Sequence, residues 1–369
     1  MRSGGWFVTA AAEKDLVRRR LGAQLLSGRP ASSPEAVVQR ILAVQAQDGR
    51  GARLAVRSRT RGAGLHAGHV DAALSERRSL VITWLNRGTL QLVGADDYWW
   101  LHPLTTPQIA ATNRTRLHQE GVSDRQATRG VEAVVEALRS HGVQTRAELR
   151  KRLDEAHVPT KGQALVHVLL AASLRSDVVR GPMRGSEHAF VSASDWLGDP
   201  PEPLERADAL AHLARRYLDG HAPADARDLA RWAGVTLRDA RAAFDGIADE
   251  LVARADGLVD LADRGAAPPA LPKPRLLGPF DPLLHGWVSR ASIIGLHRGI
   301  VTTNGLFRPF ALVDGRAVAT WGLSGSTLTV KPLEPLKPAV VTALRADAAD
   351  VLRFLDRTDC EIVVEARST

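Results

Sequence analysis

The chain has 369 residues, 44% of them hydrophobic, so it is long and apolar enough to bury more than one core. Its formal net charge is +8, and arginine supplies most of the 49 basic residues, which favours a polyanionic partner. A single cysteine, Cys360, excludes an internal disulfide and a thiolate metal cluster. No run of 18 apolar residues occurs, so neither a membrane anchor nor export is indicated, and we predict a cytoplasmic protein.

Residues 1–120 contain the pattern of a winged helix, in which helices precede a β-hairpin. Helices are predicted over residues 10–26, from Pro34 onward, and over residues 68–77. Two strands, residues 80–85 and 89–93, are joined by Asn86-Arg87-Gly88, a hairpin signal. The aromatic segment Tyr98 to Leu101 is predicted to seal the core of this first module, because exposed tryptophan pairs are uncommon.

The same pattern returns twice. Residues 121–200 predict a second winged-helix module, with helices over 131–140, 145–156 and 162–173 and short strands near 178–179 and 189–191. Residues 201–270 predict a third, with a helix-turn-helix over 224–248. Its second helix carries Asp239 and Asp245 beside Arg238 and Arg241, so we interpret this copy as structural rather than DNA-reading.

Residues 271–369 predict a β-rich C-terminal domain, because the periodicity changes to short apolar runs broken by glycine. The predicted strands are residues 276–277, 293–296, 310–313, 318–321, 327–330 and 360–365, with one helix over 346–355. The fold class is therefore α+β and mainly helical, with three tandem winged-helix modules ahead of this domain.

The most unusual segment is Gln45-Ala46-Gln47-Asp48, at the end of the helix that begins at Pro34. Position 45 lies on the buried face of that helix, where a glutamine amide needs polar partners. Residues two apart on a helix point about 200° apart, so Gln45 and Gln47 converge only if the backbone is extended. We predict that residues 45–48 unwind from the helix into a loop that presents both amides to one ligand. The alternative is that both amides only cap neighbouring backbone groups.

Five arginines and no acidic residue lie between Gly49 and Gly62, and they are Arg50, Arg53, Arg57, Arg59 and Arg61. The last three alternate with other residues, so in an extended strand they would share one face. We predict that the run contacts DNA phosphates, the alternative being a solvated strand edge kept soluble by charge. Arg298, near a turn of the C-terminal domain, is predicted as a further DNA contact.

Four segments, Ile41 to Gln47, Thr83 to Leu90, Phe280 to Leu283 and Asp314 to Trp321, resemble the AlkZ-like DNA glycosylases. These bacterial enzymes excise N7-alkylated purines, and some unhook interstrand crosslinks made by their host's own genotoxic antibiotic. The resemblance spans nearly the whole chain and implies a C-shaped arrangement of winged-helix modules around a DNA channel. The family's catalytic Gln-aliphatic-Gln motif falls on Gln45 and Gln47. Gln91 stands where many relatives have histidine.

The resemblance implies a monofunctional glycosylase that acts as a monomer on double-stranded DNA bearing N7-alkylguanine lesions, without cofactor or metal. An N7-alkylguanine already carries a positive charge, so the enzyme has to place a water and stabilise an oxocarbenium-like sugar. Gln45 and Gln47 would do both. Asp48 is a second-tier candidate for taking the water's proton, and its alternatives are to cap the loop or pair with Arg50. The competing hypothesis is a non-catalytic winged-helix DNA-binding regulator.

Overall fold

The computed structural model describes residues 9–60, 64–185, 187–265 and 267–366, without the side chain of residue 298. The helices in these ranges are α1 (Ala10–Ala23), α2 (Pro34–Ile41), α3 (Gly49–Arg57), α4 (Ala67–Ser75), α5 (Ala95–Thr105), α6 (Pro107–Gln119), α7 (Asp124–His141), α8 (Arg146–Glu155), α9 (Ala164–Leu174), α10 (Ala193–Leu197), α11 (Arg206–His221), α12 (Ala226–Ala233), α13 (Leu237–Asp245), α14 (Ala291–Ile294) and α15 (Pro338–Phe354). None of these described helices is long and apolar enough to cross a bilayer.

The strands in the same ranges are β1 (Ala43–Gln45), β2 (Leu80–Leu85), β3 (Thr89–Gly94), β4 (Val178–Arg184), β5 (Glu187–Ser192), β6 (Leu251–Ala253), β7 (Val259–Leu261), β8 (Arg275–Leu277), β9 (Phe310–Val313), β10 (Arg316–Ser324), β11 (Thr327–Pro332) and β12 (Glu361–Val364). The fold is α+β and mainly helical, as predicted.

One order of elements occurs three times along the chain. In the first repeat, α2 leads to β1, then to α3 and α4, and then to the hairpin β2–β3, with β1 paired to β3. In the second, α7, α8 and α9 precede the hairpin β4–β5, and the first strand is reduced to a bridge between Gln144 and Phe190. In the third, α11, α12 and α13 precede β6–β7, with a bridge between Ala224 and Val259.

The first two repeats share one antiparallel sheet, in the order β1-β3-β2-β4-β5. The link is the pairing of β2 with β4, where Ile82 lies opposite Arg180. The C-terminal strands form a second sheet in the order β12-β11-β10-β9-β8. Leu54 of α3 is fully buried in the core of this second sheet, so α3 ties the first repeat to the C-terminal region.

The prediction that the aromatic segment Tyr98 to Leu101 packs into the core is confirmed, and the predicted strand over residues 293–296 is not found. Tyr98 and Leu101 are fully buried in α5, as predicted. The predicted strand over residues 293–296 is wrong, because Ile293 and Ile294 end the short helix α14 and donate their N–H groups to the carbonyl of Arg290. A short apolar run does not distinguish a strand from a buried helical turn by periodicity alone.

Candidate active site

The backbone around Gln45 is extended, as predicted, but it leaves the helix earlier than predicted. Helix α2 ends at Ile41, and Leu42 adopts a positive φ of 63° that turns the chain into β1. Gln45 then pairs with Gln91, and the N–H of Ala46 donates to the carbonyl of Leu90 at 2.8 Å. The prediction of an unwinding helix end at residues 45–48 is therefore wrong, because a tertiary partner, β3, extends the chain from Ala43 onward.

Alternation along β1 places Gln45 and Ala46 on opposite faces of the sheet, and we call the face of Gln45 the glutamine face. Gln47 follows in the bend between β1 and α3. Residues opposite one another on paired strands share a face, so Gln91 and Thr83 lie on the glutamine face. The sheet therefore carries a row of polar side chains on three adjacent strands. Thr83 continues this row into α9 through a 3.0 Å hydrogen bond between its hydroxyl and that of Ser173.

The two glutamine amides differ in exposure and in partners. Gln47 is exposed, and its Oε1 accepts a hydrogen bond from the N–H of Leu90 at 3.0 Å. Gln45 is 7% exposed, and its Oε1 is buried without a hydrogen-bond partner among the described residues. The side-chain oxygen of Gln47 thus caps a backbone N–H group, as in the alternative prediction. The side-chain oxygen of Gln45 accepts no hydrogen bond from the described residues. A buried acceptor without a partner costs free energy unless a ligand or water fills it.

Gln91 faces Gln45 from the neighbouring strand. It is 4% exposed, and its Nε2 donates to the hydroxyl of Thr89 at 2.6 Å. Thr89 begins β3 and so lies next to the turn of the β2–β3 hairpin. The sequence had marked position 91 as a departure from relatives, and the structure places it directly across from the first catalytic candidate.

Asp48 is the N-cap of α3, and its carboxylate accepts from the N–H of Gly51 at 2.6 Å. This is the capping alternative of the sequence analysis, and no ion pair joins Asp48 to Arg50 in the part of the chain that the structure describes. A carboxylate engaged by a helix N-terminus is held in one orientation.

The predicted extended strand of alternating arginines is wrong, because residues 49–57 form helix α3. Arg57 is 7% exposed and lies between Asp347 and Asp350 of α15, at 2.9 and 2.8 Å. Burial alone would lower its pKa, but these carboxylates outweigh burial and raise it. Arg59 is fully buried and donates to both carboxylate oxygens of Asp281, at 2.9 and 2.7 Å.

Neither Arg57 nor Arg59 offers an exposed guanidinium to a phosphate, so their predicted place in a phosphate-contacting strip is not supported. Their counter-charges lie more than two hundred residues away in sequence, where an inspection of residues 49–62 could not find them. The remaining two described arginines of the run lie in the first half of α3. Arg50 is exposed and has no ion pair within the described ranges, and Arg53 binds Asp71 and the carbonyl of Gly49. Arg61 and the side chain of Arg298 lie outside the described residues.

A cavity of about 500 Å³ lies on the Ala46 face of the sheet. Its lining includes Arg50, Arg53 and, from the second repeat, Arg180 and His188. Arg180 lies between Trp84 and Phe190, 5.0 and 4.0 Å from the ring centres. Burial, chiefly, lowers its pKa to about 10. Asp71 and Glu187 also line the cavity, which lies on the face of the sheet opposite Gln45.

The segment around Phe280 crosses the first turn of α3. A Cβ atom at Gly51 would lie 2.4 Å from the carbonyl oxygen of Pro279, so a side chain at position 51 would push the two segments apart. Phe280, His285 and Phe307 form an aromatic group, and the His285 and Phe307 ring centres are 4.0 Å apart. Phe280 belongs to one of the four segments that resemble the AlkZ-like family.

Comparisons with known proteins agree with this architecture. Residues 38–354 match the family model described as DNA glycosylase AlkZ-like. The solved structure of the Streptomyces sahachiroi DNA glycosylase AlkZ is similar, with a TM-score of 0.79 and 26% identity over 95% of this chain and 99% of that chain. No curated protein matches the chain in a sequence comparison.

These matches define a DNA glycosylase, an enzyme rather than a non-catalytic regulator. The chain belongs to the AlkZ-like DNA glycosylase family.

Proposed function

We propose that this glycosylase is monofunctional and hydrolyses the N-glycosidic bond of N7-alkylated purines in double-stranded DNA, as a cytoplasmic monomer without a cofactor. The observation that carries the proposal is the buried, unpartnered Oε1 of Gln45, two residues before the exposed amide of Gln47. That arrangement supplies one free acceptor and one free donor within two residues of chain, whose backbone span is at most about 7 Å.

The two amides have different tasks in the proposed reaction. Gln47 donates from Nε2 to the oxygen of the attacking water, since its Oε1 is held by Leu90. Gln45 accepts one of the water's hydrogens at Oε1, and its carbonyl dipole faces the positive charge that develops on the sugar. The bond from C1′ to the purine nitrogen breaks with its electron pair leaving on the base, which departs neutral. Water then bonds to C1′ and releases its proton to solvent, so no strong base is needed.

Asp48 is not required by this scheme. Its carboxylate holds the first turn of α3, which fixes the backbone that carries Gln47. We therefore assign Asp48 a positioning role ahead of its second-tier role as proton acceptor. Gln91 lies opposite Gln45 on the neighbouring strand, and we propose that it influences the shape of the site and the substrate preference.

We further propose that the three repeats are winged-helix modules, over residues 1–120, 121–200 and 201–270, arranged with the C-terminal domain as a C-shape around DNA. The support is their order of elements and the pairing of each first strand or bridge with the second hairpin strand. Arg50 is the arginine of the run that we retain as a phosphate contact, because Arg53 is already paired with Asp71. Arg298 is an expected contact from the C-terminal domain. Because Gln47 is exposed, bulky adducts or crosslinks of a genotoxic natural product are included among the proposed substrates.

The direct test is release of base from duplex DNA that contains one N7-methylguanine, followed as abasic-site formation by the wild type, Gln45→Ala and Gln47→Ala. Removing one preorganised polar group from a site of this kind costs on the order of 10²-fold in rate. We expect losses of that order in both variants, with binding to lesion-free duplex close to wild type. Arg139→Gln, an exposed change on α7, is the matched control and keeps the wild-type rate.

Wild-type protein that binds the duplex without releasing base would refute the proposed substrate class. Undiminished release by Gln45→Ala would refute the assignment of the amides while leaving the glycosylase activity in place.

A further inference from the structure

Three arginines from different parts of the chain lie together beside the turn of the β2–β3 hairpin. Arg87 is in that turn, Arg231 is in α12 of the third repeat, and Arg290 immediately precedes α14. The C-terminus of α12 packs on the turn, since a Cβ at Gly234 would lie 3.2 Å from the backbone nitrogen of Arg87. We call Arg87, Arg231 and Arg290 the arginine cluster.

The arginine cluster lacks the carboxylates that neutralise Arg57 and Arg59. The Arg87 guanidinium is partly buried and makes no hydrogen bond or ion pair within the described chain. Burial, followed by the charges of Arg231 and Arg290, lowers the pKa of Arg87 to about 10. Arg290 is anchored to the carbonyl of Leu284 at 2.6 Å, and burial and Arg231 lower its pKa. Like charges gathered without a counter-ion destabilise the protein unless an anion occupies the cluster.

Two buried polar atoms beside the arginine cluster also lack a hydrogen-bond partner among the described residues. Asn86 is 2% exposed and His285 is 7% exposed, and the Asn86 Oδ1 and His285 Nε2 atoms have no partner among the described residues. Burial, then Arg87 and Arg290, lowers the pKa of His285 to about 3, so its ring is neutral at physiological pH. His285 packs on Phe307, whose ring lies 5.1 Å from the Arg290 guanidinium. A cavity of about 350 Å³ lined by Asn86 and Arg87 adjoins the turn.

The hairpin connects the arginine cluster to the glutamine face. Arg87 precedes Leu90 by three residues, and the N–H of Leu90 is the group that binds Gln47. Three residues of chain span at most about 10 Å, so the backbone of Arg87 lies within a nucleotide or two of the Gln47 amide. Unneutralised cations at that range would oppose the positive charge that develops on the sugar. An anion in the cluster removes that opposition.

We propose that Arg87, Arg231 and Arg290 bind one backbone phosphate of the DNA near the nucleotide on which Gln45 and Gln47 act. This inference rests on the proposed function, because it takes DNA as the ligand at the glutamine face. Bound phosphate would fix the register of the strand and provide the missing counter-charge. The contact is to the backbone, so it is independent of base sequence.

The test is the salt dependence of binding to a short lesion-free duplex by the wild type, Arg87→Gln, Arg231→Gln and the control Arg139→Gln. Each phosphate contact contributes a slope of about −0.9 to log affinity against log salt. We expect Arg87→Gln and Arg231→Gln each to reduce the steepness of that slope by up to about one unit, and Arg139→Gln to leave it unchanged. Arg231 is exposed, so its variant guards against a folding defect at the partly buried Arg87.

Wild-type slopes in both cluster variants would overturn the proposal, and so would an equal change in Arg139→Gln, which would reflect net charge alone. A second arm adds inorganic phosphate to each protein and follows its thermal unfolding midpoint. Stabilisation of the wild type but not of Arg87→Gln, together with unchanged DNA slopes, would assign the cluster to a free anion and overturn the DNA assignment. Base release from N7-methylguanine duplex by the wild type is scored separately, so failure of the proposed function is distinguished from failure of this inference.

Discussion

The two ends of α3 use arginine for opposite purposes. At the start of the helix, Arg50 is exposed without an ion pair in the described chain and lines a cavity. At its end and just beyond, Arg57 and Arg59 are buried against carboxylates of α15 and of the segment that follows Phe280. Fewer than ten residues separate a surface suited to a polyanion from ion pairs that join the first repeat to the C-terminal region.

This difference shows that the environment of each arginine, rather than the density of positive charge in the sequence, determines its role. A buried guanidinium needs carboxylates to offset its desolvation, whereas an exposed one stays available to a ligand. The arginine cluster is the third case, with partial burial and no carboxylate.

The largest expected effect is at Arg59. Arg59→Ala leaves Asp281 fully buried without its cation, so we expect a loss of about 3–5 kcal/mol in the free energy of unfolding. Urea unfolding measures it. A pair of changes, Arg59→Met with Asp281→Leu, removes both charges and should recover much of the loss. A loss below about 1 kcal/mol in Arg59→Ala would show that the buried ion pair is not needed for folding.

At the other end of α3, Arg50→Ala should weaken DNA binding and leave folding intact. Loss of one charge-assisted contact corresponds to about 1.5 kcal/mol, or roughly tenfold in affinity. The free energy of unfolding should stay within about 0.5 kcal/mol of wild type, because the side chain is exposed. Fluorescence anisotropy with lesion-free duplex provides the measurement. Wild-type affinity would remove Arg50 from the DNA surface.

The smallest expected effect is a pH dependence of the unfolding free energy, and it arises from the ion pairs at the C-terminal end of α3. Burial by itself raises the pKa of Asp350, but Arg353 and Arg57 outweigh it and hold the pKa below its ordinary value. A carboxyl group with a lowered folded-state pKa stabilises the protein above its unfolded pKa of about 3.9, and that stabilisation is lost as the pH falls through the folded value. We therefore expect Asp350→Asn to flatten the fall in unfolding free energy below about pH 4.

Arg50→Ala should leave that acid profile unchanged, since no carboxylate pairs with Arg50 in the described ranges. Unfolding followed by denaturant at a series of pH values gives both curves. Superimposable acid profiles for the wild type and Asp350→Asn would contradict the role of this ion pair.

The sequence predicted the elements well where periodicity and turn signals were strong. The hairpin β2–β3 begins and ends within a residue of prediction, and the helix predicted over residues 145–156 is α8, with Thr145 as its N-cap. The Asp314-Gly315 turn has positive φ at both residues and joins β9 to β10. Such features are set by neighbours in the chain, so a local pattern suffices to find them.

The elements and contacts that were predicted wrongly depend on partners that are distant in sequence. Pairing with β3 made residues 43–45 a strand instead of the end of α2, and Asp281 and Asp347 drew Arg59 and Arg57 into the interior. The arginine cluster was not predicted for the same reason. The segment Asn86-Arg87-Gly88 indicates a turn, but it does not indicate that Arg231 and Arg290 lie next to that turn. The candidate motif itself was found because Gln45 and Gln47 conflict with an apolar helix face.

The central claim is that the amides of Gln45 and Gln47 act on the glycosidic bond while the arginines of the same region hold DNA. The most direct test is the single-turnover rate of N7-methylguanine release at saturating protein, measured for Gln45→Ala beside Arg50→Ala. We predict that Gln45→Ala slows release on the order of 10²-fold and that Arg50→Ala, once saturated, stays near the wild-type rate. Full-rate release by Gln45→Ala, or an equal loss in both variants, would contradict the account.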